Sequence, residues 1–176
     1  MRQLILLRHA KSSWDDPSLN DHDRPLDAEG QAAAGAMRLA IERLDLRPEL
    51  VFVSSARRTR ETLERLEPLP GDPEIRRTSD LYLANPQQIL AILAELPPTT
   101  GSVLVIAHNP GLHDLAMMLL GSHAAGLGQL SSQRLARGFP TAALAEFTVA
   151  GSWQNLPEGC RLVRFLTPSD LQTVTF

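Results

Sequence analysis

The chain lacks most of what would take it outside the ordinary run of globular domains. One cysteine, Cys160, among 176 residues excludes an intrachain disulfide, and no Cys pair or Cys/His cluster with zinc spacing accompanies it. A reducing compartment is the simplest setting, so the expected location is cytoplasmic. No apolar run approaches the length of a bilayer span, and the one near the start, Leu4 to Leu7, is too short for a secretory core and runs straight into charge. No membrane partner is expected. Basic residues are not in surplus: 17 Lys and Arg against 20 Asp and Glu give a formal charge of −3, which argues against nucleic acid, whose backbone demands an excess of cations. Internal repeats and low-complexity tracts are absent as well.

What is there reads as one soluble domain over residues 1–176. Hydrophobic residues make up 43% and charged residues 21%, close to the globular average, and the length suffices to bury a core without staples. Leu4 to Leu7 is a buried strand that ends abruptly in Arg8 and His9. The Asp-, Ser- and Pro-rich segment that follows has no periodicity and reads as a long loop, of the kind that is usually functional. Asp27 is placed as an N-cap with Glu29 in the first turn, opening a helix whose apolar face of Ala and Leu runs to about Asp45. Leu50 to about Ser54 is a second strand, followed by a helix carrying Arg57, Arg58 and Arg60 in its first turn. Prolines 68, 70 and 73 break the chain, Glu74 to Arg77 is a short strand, and Pro86 starts a helix through about Leu96. Ser102 to Ala107 is a further buried strand, ending in His108, Asn109, Pro110 and Gly111 before an apolar helix. Residues 122–138 are rich in small residues, with one short helical turn expected and the greatest mobility in the chain. Ala142 to Val149 and Arg161 to Leu166 are two strands joined through Trp153, an antiparallel pair at a sheet edge.

This alternation of strand and helix predicts an α/β fold, a three-layer sandwich with a mostly parallel central sheet and helices on both faces. Three strands of the parallel type each end in a cationic or cationisable group: Arg8 and His9, then Arg58 at a helix start, then His108. In a parallel sheet those ends share one edge, so the groups converge on one pocket. Two arginines and two histidines about a point suit a phosphoryl group, because the planar guanidinium fork matches its oxygens.

The segment R-H-A-K-S resembles the R-H-G motif of the histidine phosphatase superfamily, the phosphoglycerate-mutase-like proteins, and more narrowly the SixA phosphohistidine phosphatases. LILLRHAKS, DRPLDAEGQ, SSARRTRET, VIAHNPGL, FPTAALAEF and FLTPSDL all fall in the family's order, so the resemblance spans nearly the whole chain. It implies a phosphoglycerate-mutase-like fold with no cofactor. His9 would be the nucleophile that becomes phosphorylated, with Arg8 and Arg58 binding phosphoryl oxygens and His108 donating to the phosphoryl group. In the family's S-P-L-x-R-A-x-Q-T pattern, Ser54, Arg58 and Thr62 take the Ser, Arg and Thr positions, while Ser55 and Glu61 replace Pro and Gln. For attack, His9 must be neutral at the attacking nitrogen, with its other ring nitrogen held by an acceptor such as a backbone carbonyl. Ser12, Arg24 in the D-R-P-L context, and Asn109 are candidate substrate-binding residues.

The family's proton donor has no counterpart here. Phosphoglycerate-mutase-like members carry a Glu downstream of the third strand, where this chain reads SDLYLANPQQ; Asp80 is nearby without aligning. Acid-phosphatase members place Asp after the second His, where this chain has Asn109, which cannot give up a proton. An alkoxide leaving group needs that proton, whereas imidazole or an aryl oxide leaves more readily. The resemblance therefore implies a phosphatase working through a phosphohistidine intermediate, with a phosphohistidine-bearing protein as the favoured partner. The alternatives are a small-molecule phosphomonoesterase acting on a phosphorylated metabolite, or a phosphoprotein-binding module without turnover. Several other polar residues read as structural. Arg57 and Arg60 are solvated helix charges, His113 and Asp114 suit the first turn of their helix, and Asp21, His22 and Asp23 are solvated loop residues with no metal site. Trp14 either flanks the entrance or packs the loop.

Overall fold

A computed structural model describes residues 1–124 and 130–172. Six strands, β1 (Arg2–Arg8), β2 (Leu50–Ser54), β3 (Glu74–Thr78), β4 (Ser102–Ala107), β5 (Leu144–Val149) and β6 (Cys160–Leu166), form one sheet in the order β3-β2-β4-β1-β5-β6. The pairs β3–β2, β2–β4 and β4–β1 are parallel, whereas β5 runs antiparallel to both β1 and β6. This is the mostly parallel sheet expected from the alternation, with the antiparallel pair at its edge.

Side chains of a strand alternate between the two faces of the sheet. Leu4, Leu6, Phe52, Val103 and Val105 join one core with helices α3 (Pro86–Ala94), α4 (Gly111–Ala124) and α5 (Leu130–Arg137), contributed by residues such as Ile89, Leu115 and Leu135. Ile5, Leu7, Val51, Val53, Leu104 and Ile106 join the other, with α1 (Ala28–Arg43) and α2 (Arg57–Leu66) supplying Met37, Ile41, Leu63 and Leu66. Two covered faces explain why β1, β2 and β4 read as unbroken apolar runs rather than as alternating ones. The sheet's helices also fix the functional edge. The helix after β1 packs on one face and the helix after β4 on the other, although the two strands are neighbours, so their C-terminal ends flank a topological switch point.

Local chemistry sets the helix starts. The Asp27 side chain accepts from Gly30 N at 2.7 Å, as the N-cap reading requires, and Asn85 and Gln88 form a reciprocal capping box around Pro86 at the first turn of α3. Three boundaries differ from expectation. The small-residue segment holds the eight-residue α5 rather than one turn, because Leu135 finds a buried place in the core; the mobility expected there falls partly on residues 125–129, outside the described residues. A short α6 (Pro168–Gln172) follows β6. β5 starts at Leu144 and not at Ala142, since Ala142 takes a φ of 59° and turns its N–H onto the carbonyls of Arg8 and His9 at 3.1 and 3.0 Å. That turn seals the end of β1.

The start of α1 lies directly on the loop after His9. A Cβ on Gly30 would sit 2.1 Å from the Lys11 carbonyl oxygen, while one on Gly35, further along the same helix, would meet nothing within 4 Å. Gly30→Ala is therefore expected to cost about 1–3 kcal/mol by overpacking, and Gly35→Ala to gain up to about 1 kcal/mol from helix propensity. Urea unfolding of the two variants checks both signs.

Candidate active site

β1 delivers Arg8 and His9 to the switch point. The chain leaves the sheet here: His9 N still donates to Ala107 O of β4 at 3.1 Å, and Ala10 N donates to Thr62 Oγ1 at 3.0 Å. Thr62 in turn donates to Arg58 O at 2.6 Å, so α2 clamps the loop behind His9. The His9 ring is only 7% exposed, and its Nδ1 lies 2.8 Å from Ala10 O. A carbonyl oxygen can only accept, so Nδ1 carries the ring proton and Nε2 presents a lone pair.

His108, at the end of β4, is 2% exposed and its ring centroid lies 5.2 Å from that of His9. Its Nε2 is 2.7 Å from Ser54 Oγ, at the end of β2. Ser54 Oγ also accepts from Ala56 N at 3.4 Å, and it keeps both a proton and a second lone pair to offer His108 Nε2. His108 Nδ1 is buried, with no hydrogen-bond partner among the described residues. Burial is the main reason that His108 is held down at about pKa 3, with the neighbouring His9 and Arg58 adding to it and Asp21 opposing. Burial likewise lowers His9 to about 4, against the upward pull of the Ala10 hydrogen bond and together with the charges of Arg58, Arg8 and Arg24. Both imidazoles are neutral at pH 7.

The arginines are anchored from separate elements. Arg8 Nη1 donates to Phe139 O at 3.1 Å, and the same carbonyl accepts from Asn109 Nδ2 at 2.8 Å. Burial, then Arg58, lowers the Arg8 pKa from its ordinary value. Arg58, in the first turn of α2, is 4% exposed and donates through Nη1 to Asp21 O at 2.7 Å and through Nη2 to Asp21 Oδ2 at 3.0 Å. Arg24 is buried too, with Nη1 on Asp21 Oδ1 at 3.0 Å, Nη2 on Ser12 Oγ at 2.6 Å, Nε on Ser13 O at 3.0 Å, and Cζ 3.2 Å from the centroid of the Trp14 ring.

Arg8, His9, Arg58 and His108 thus meet at one sheet edge. Ser12 and Arg24 are drawn in beside them but spend their contacts on each other and on Asp21, and Asn109 spends its amide nitrogen on positioning Phe139 O. Arg57 is the solvated helix charge expected, paired with Glu61 on its own helix. Arg60 reaches Ser55 O. His113 is structural, its Nε2 bonded to Leu135 O. The reading of Asp21 and His22 as merely solvated is corrected. They lie in a 3₁₀ turn, Asp21–Asp23, that closes over the site. His22 Nε2 is 2.9 Å from Ser55 Oγ and its ring packs edge-on against Tyr82, which packs edge-on against His108. The Asp21 carboxyl would be raised by its partial burial, yet hydrogen bonds from Tyr82, Arg58 and Arg24 outweigh that and hold it at about pKa 2. Tyr82 was not singled out from sequence, and the available sign for Asp21 was its place three residues before Arg24.

Comparison with known proteins places the chain in a family. The profile of the histidine phosphatase superfamily (branch 1) matches residues 4–81. An uncharacterized protein of Mycobacterium leprae is 33% identical over 171 residues, covering 92% of this chain and 99% of its own length. An uncharacterized chloroplastic protein of Arabidopsis thaliana is 35% identical over 69% of this chain, a match that spans 60% of that longer protein. Among solved structures, a Nakamurella multipartitia protein described as a phosphohistidine phosphatase, SixA, is 29% identical and superimposes with a TM-score of 0.81 over 95% of this chain and 96% of its own. Shared sequence along almost the full length, and a shared fold beneath it, make this chain a phosphatase belonging to the histidine phosphatase superfamily.

Proposed function

We propose that the protein hydrolyses phosphohistidine on a protein substrate, with His9 taking the phosphoryl group as a covalent intermediate. The observation that carries this reading is the hydrogen bond from His9 Nδ1–H to Ala10 O. It fixes the lone pair on Nε2, which attacks phosphorus as the bond between phosphorus and the substrate's ring nitrogen breaks. The departing imidazole, protonated on its distal nitrogen, leaves neutral. In the second step water attacks phospho-His9, the P–Nε2 bond breaks, and inorganic phosphate departs. Because Nδ1 keeps its proton throughout, His9 also leaves as neutral imidazole, and one hydrogen bond serves both half-reactions. Arg8 and Arg58 neutralise the phosphoryl oxygens, and His108, in the tautomer that accepts from Ser54 Oγ and carries its proton on Nδ1, donates to them as charge shifts in transfer.

The choice of phosphohistidine over an alkyl phosphate follows from the proton supply. Asp21 is the carboxylate hydrogen-bonded to Arg58, and it is ionised at neutral pH. Asp80 lines a separate groove between β3 and α3 with Arg76 and Glu95. A site with no protonated carboxyl beside it among the described residues favours a leaving group that needs none.

Two outcomes follow. His9→Ala is expected to lower turnover of a phosphohistidine peptide by about 1,000-fold or more, and wild-type enzyme quenched in turnover carries acid-labile phosphate on His9; full activity in the variant removes the reading, as does equal turnover of alkyl phosphates and phosphohistidine by the wild type. Second, the His9 and His108 ring resonances are expected to titrate near pH 4 and 3 rather than 6.5. Between pH 6.5 and about 4 the unfolded chain binds protons that the folded chain refuses, so stability is lost as the pH falls through that window. NMR titration and thermal unfolding across it measure the two effects.

A further inference from the structure

Asp21 takes no part in the transfer just described, yet its one carboxylate is the meeting point of three donors from three places in the chain. Arg58 reaches it from α2, Tyr82 from the segment after β3 with its hydroxyl 2.5 Å from Oδ2, and Arg24 from the end of the same loop. Arg58 adds a second bond, to the Asp21 carbonyl oxygen.

We infer that Asp21 is the positioning residue of the phosphoryl pocket, its carboxylate holding the Arg58 guanidinium where it meets the transferred group, with Tyr82 and Arg24 holding the carboxylate. The inference rests on the proposed role of Arg58. Arginine has a long, freely rotating stem, and its binding strength depends on how its planar fork is aimed. Two N–H groups of Arg58 are committed to Asp21, which fixes the plane of the fork and leaves the others for phosphoryl oxygens. Tyr82 extends the same control across the pocket. Its ring lies 5.9 Å from Arg58 Cζ and packs edge-on against His108 at 5.5 Å, so Asp21 sets the spacing between the arginine wall and the histidine wall. A carboxylate that merely stood in for phosphate on Arg58 would have to leave when substrate arrives. Here departure would also break the bonds to Arg24 and Tyr82, which ties Asp21 into the wall of the pocket rather than into the space it encloses.

The test is orthovanadate affinity, with KM and kcat for a phosphohistidine peptide, in Asp21→Asn, Tyr82→Phe, the double variant and Arg58→Ala. Asp21→Asn keeps the side chain's size but sets an amide or an uncharged oxygen against Arg58. It is expected to weaken vanadate binding about 10- to 100-fold and to raise KM, whereas a purely structural defect would lower the active fraction and leave KM unchanged. Tyr82→Phe is expected to shift both in the same direction by about 2- to 5-fold, and to add little on top of Asp21→Asn, since both act through one carboxylate. Should Asp21→Asn fail to fold, Tyr82→Phe carries the test: weaker vanadate binding supports the inference and unchanged binding overturns it. Vanadate binding in Asp21→Asn equal to or tighter than wild type, with binding lost in Arg58→Ala, overturns the role of Asp21 alone. Retained binding in Arg58→Ala overturns the reading of Arg58 and this inference with it.

Discussion

Repulsion between buried cations is the constraint on which this structure turns. Arg24 and Arg58 are almost wholly buried and Arg8 partly so, and all three depress the proton affinity of His9. Guanidinium groups cannot shed their charge, so each must be met by oxygen from the protein. Phe139 O supplies it for Arg8, Ser12 Oγ and Ser13 O for Arg24, and Asp21 for both Arg24 and Arg58. Those oxygens come from the loop after β1 and from the segment beyond α5, so segments far apart in the chain are drawn to one end of the sheet by the same requirement. The two histidines stay neutral, first because they are buried and then because the same arginine charges oppose a further proton.

The strand order makes this gathering possible. β1 lies between β4 and β5, and β4 lies between β1 and β2, so the strands ending in His9, His108 and Ser54 are consecutive neighbours. Ser54 bonds His108 directly, and Thr62 ties the turn behind His9 to α2. Distances among these side chains are thus set by the spacing of strands in a sheet covered on both faces, which is among the least deformable parts of a protein.

Much of this was legible in the chain. Buried strands announce themselves as short β-branched and leucine-rich runs, and a run that stops at Arg8–His9 or at His108 says where its sheet edge is. Arg58 could be separated from Arg57 and Arg60 because it takes the arginine position of the family's S-P-L-x-R-A-x-Q-T pattern, and one face of a helix looks inward at a time. The failures share a different cause. Asp21 and Tyr82 sit in 3₁₀ turns or just beyond them, where no period predicts direction, and Asp21 is solvent-accessible enough to look like any loop acid. The bond from Asn109 Nδ2 to Phe139 O is likewise invisible along the chain. The helix α5 escaped because its Ser, Gln and Arg residues mask a single buried leucine. In each case the deciding partner lies on a distant segment, and spacing along the chain carries no record of it.

The burial that keeps His9 and His108 neutral also removes them from the range in which histidine usually acts as a sensor. An imidazole with ordinary proton affinity changes charge between about pH 5 and 8; these two do so near 4 and 3. Across the range where a phosphoryl group changes protonation, these two residues hold a constant state. Any response of this phosphatase to ambient acidity would then be written in the ionisation of what it binds.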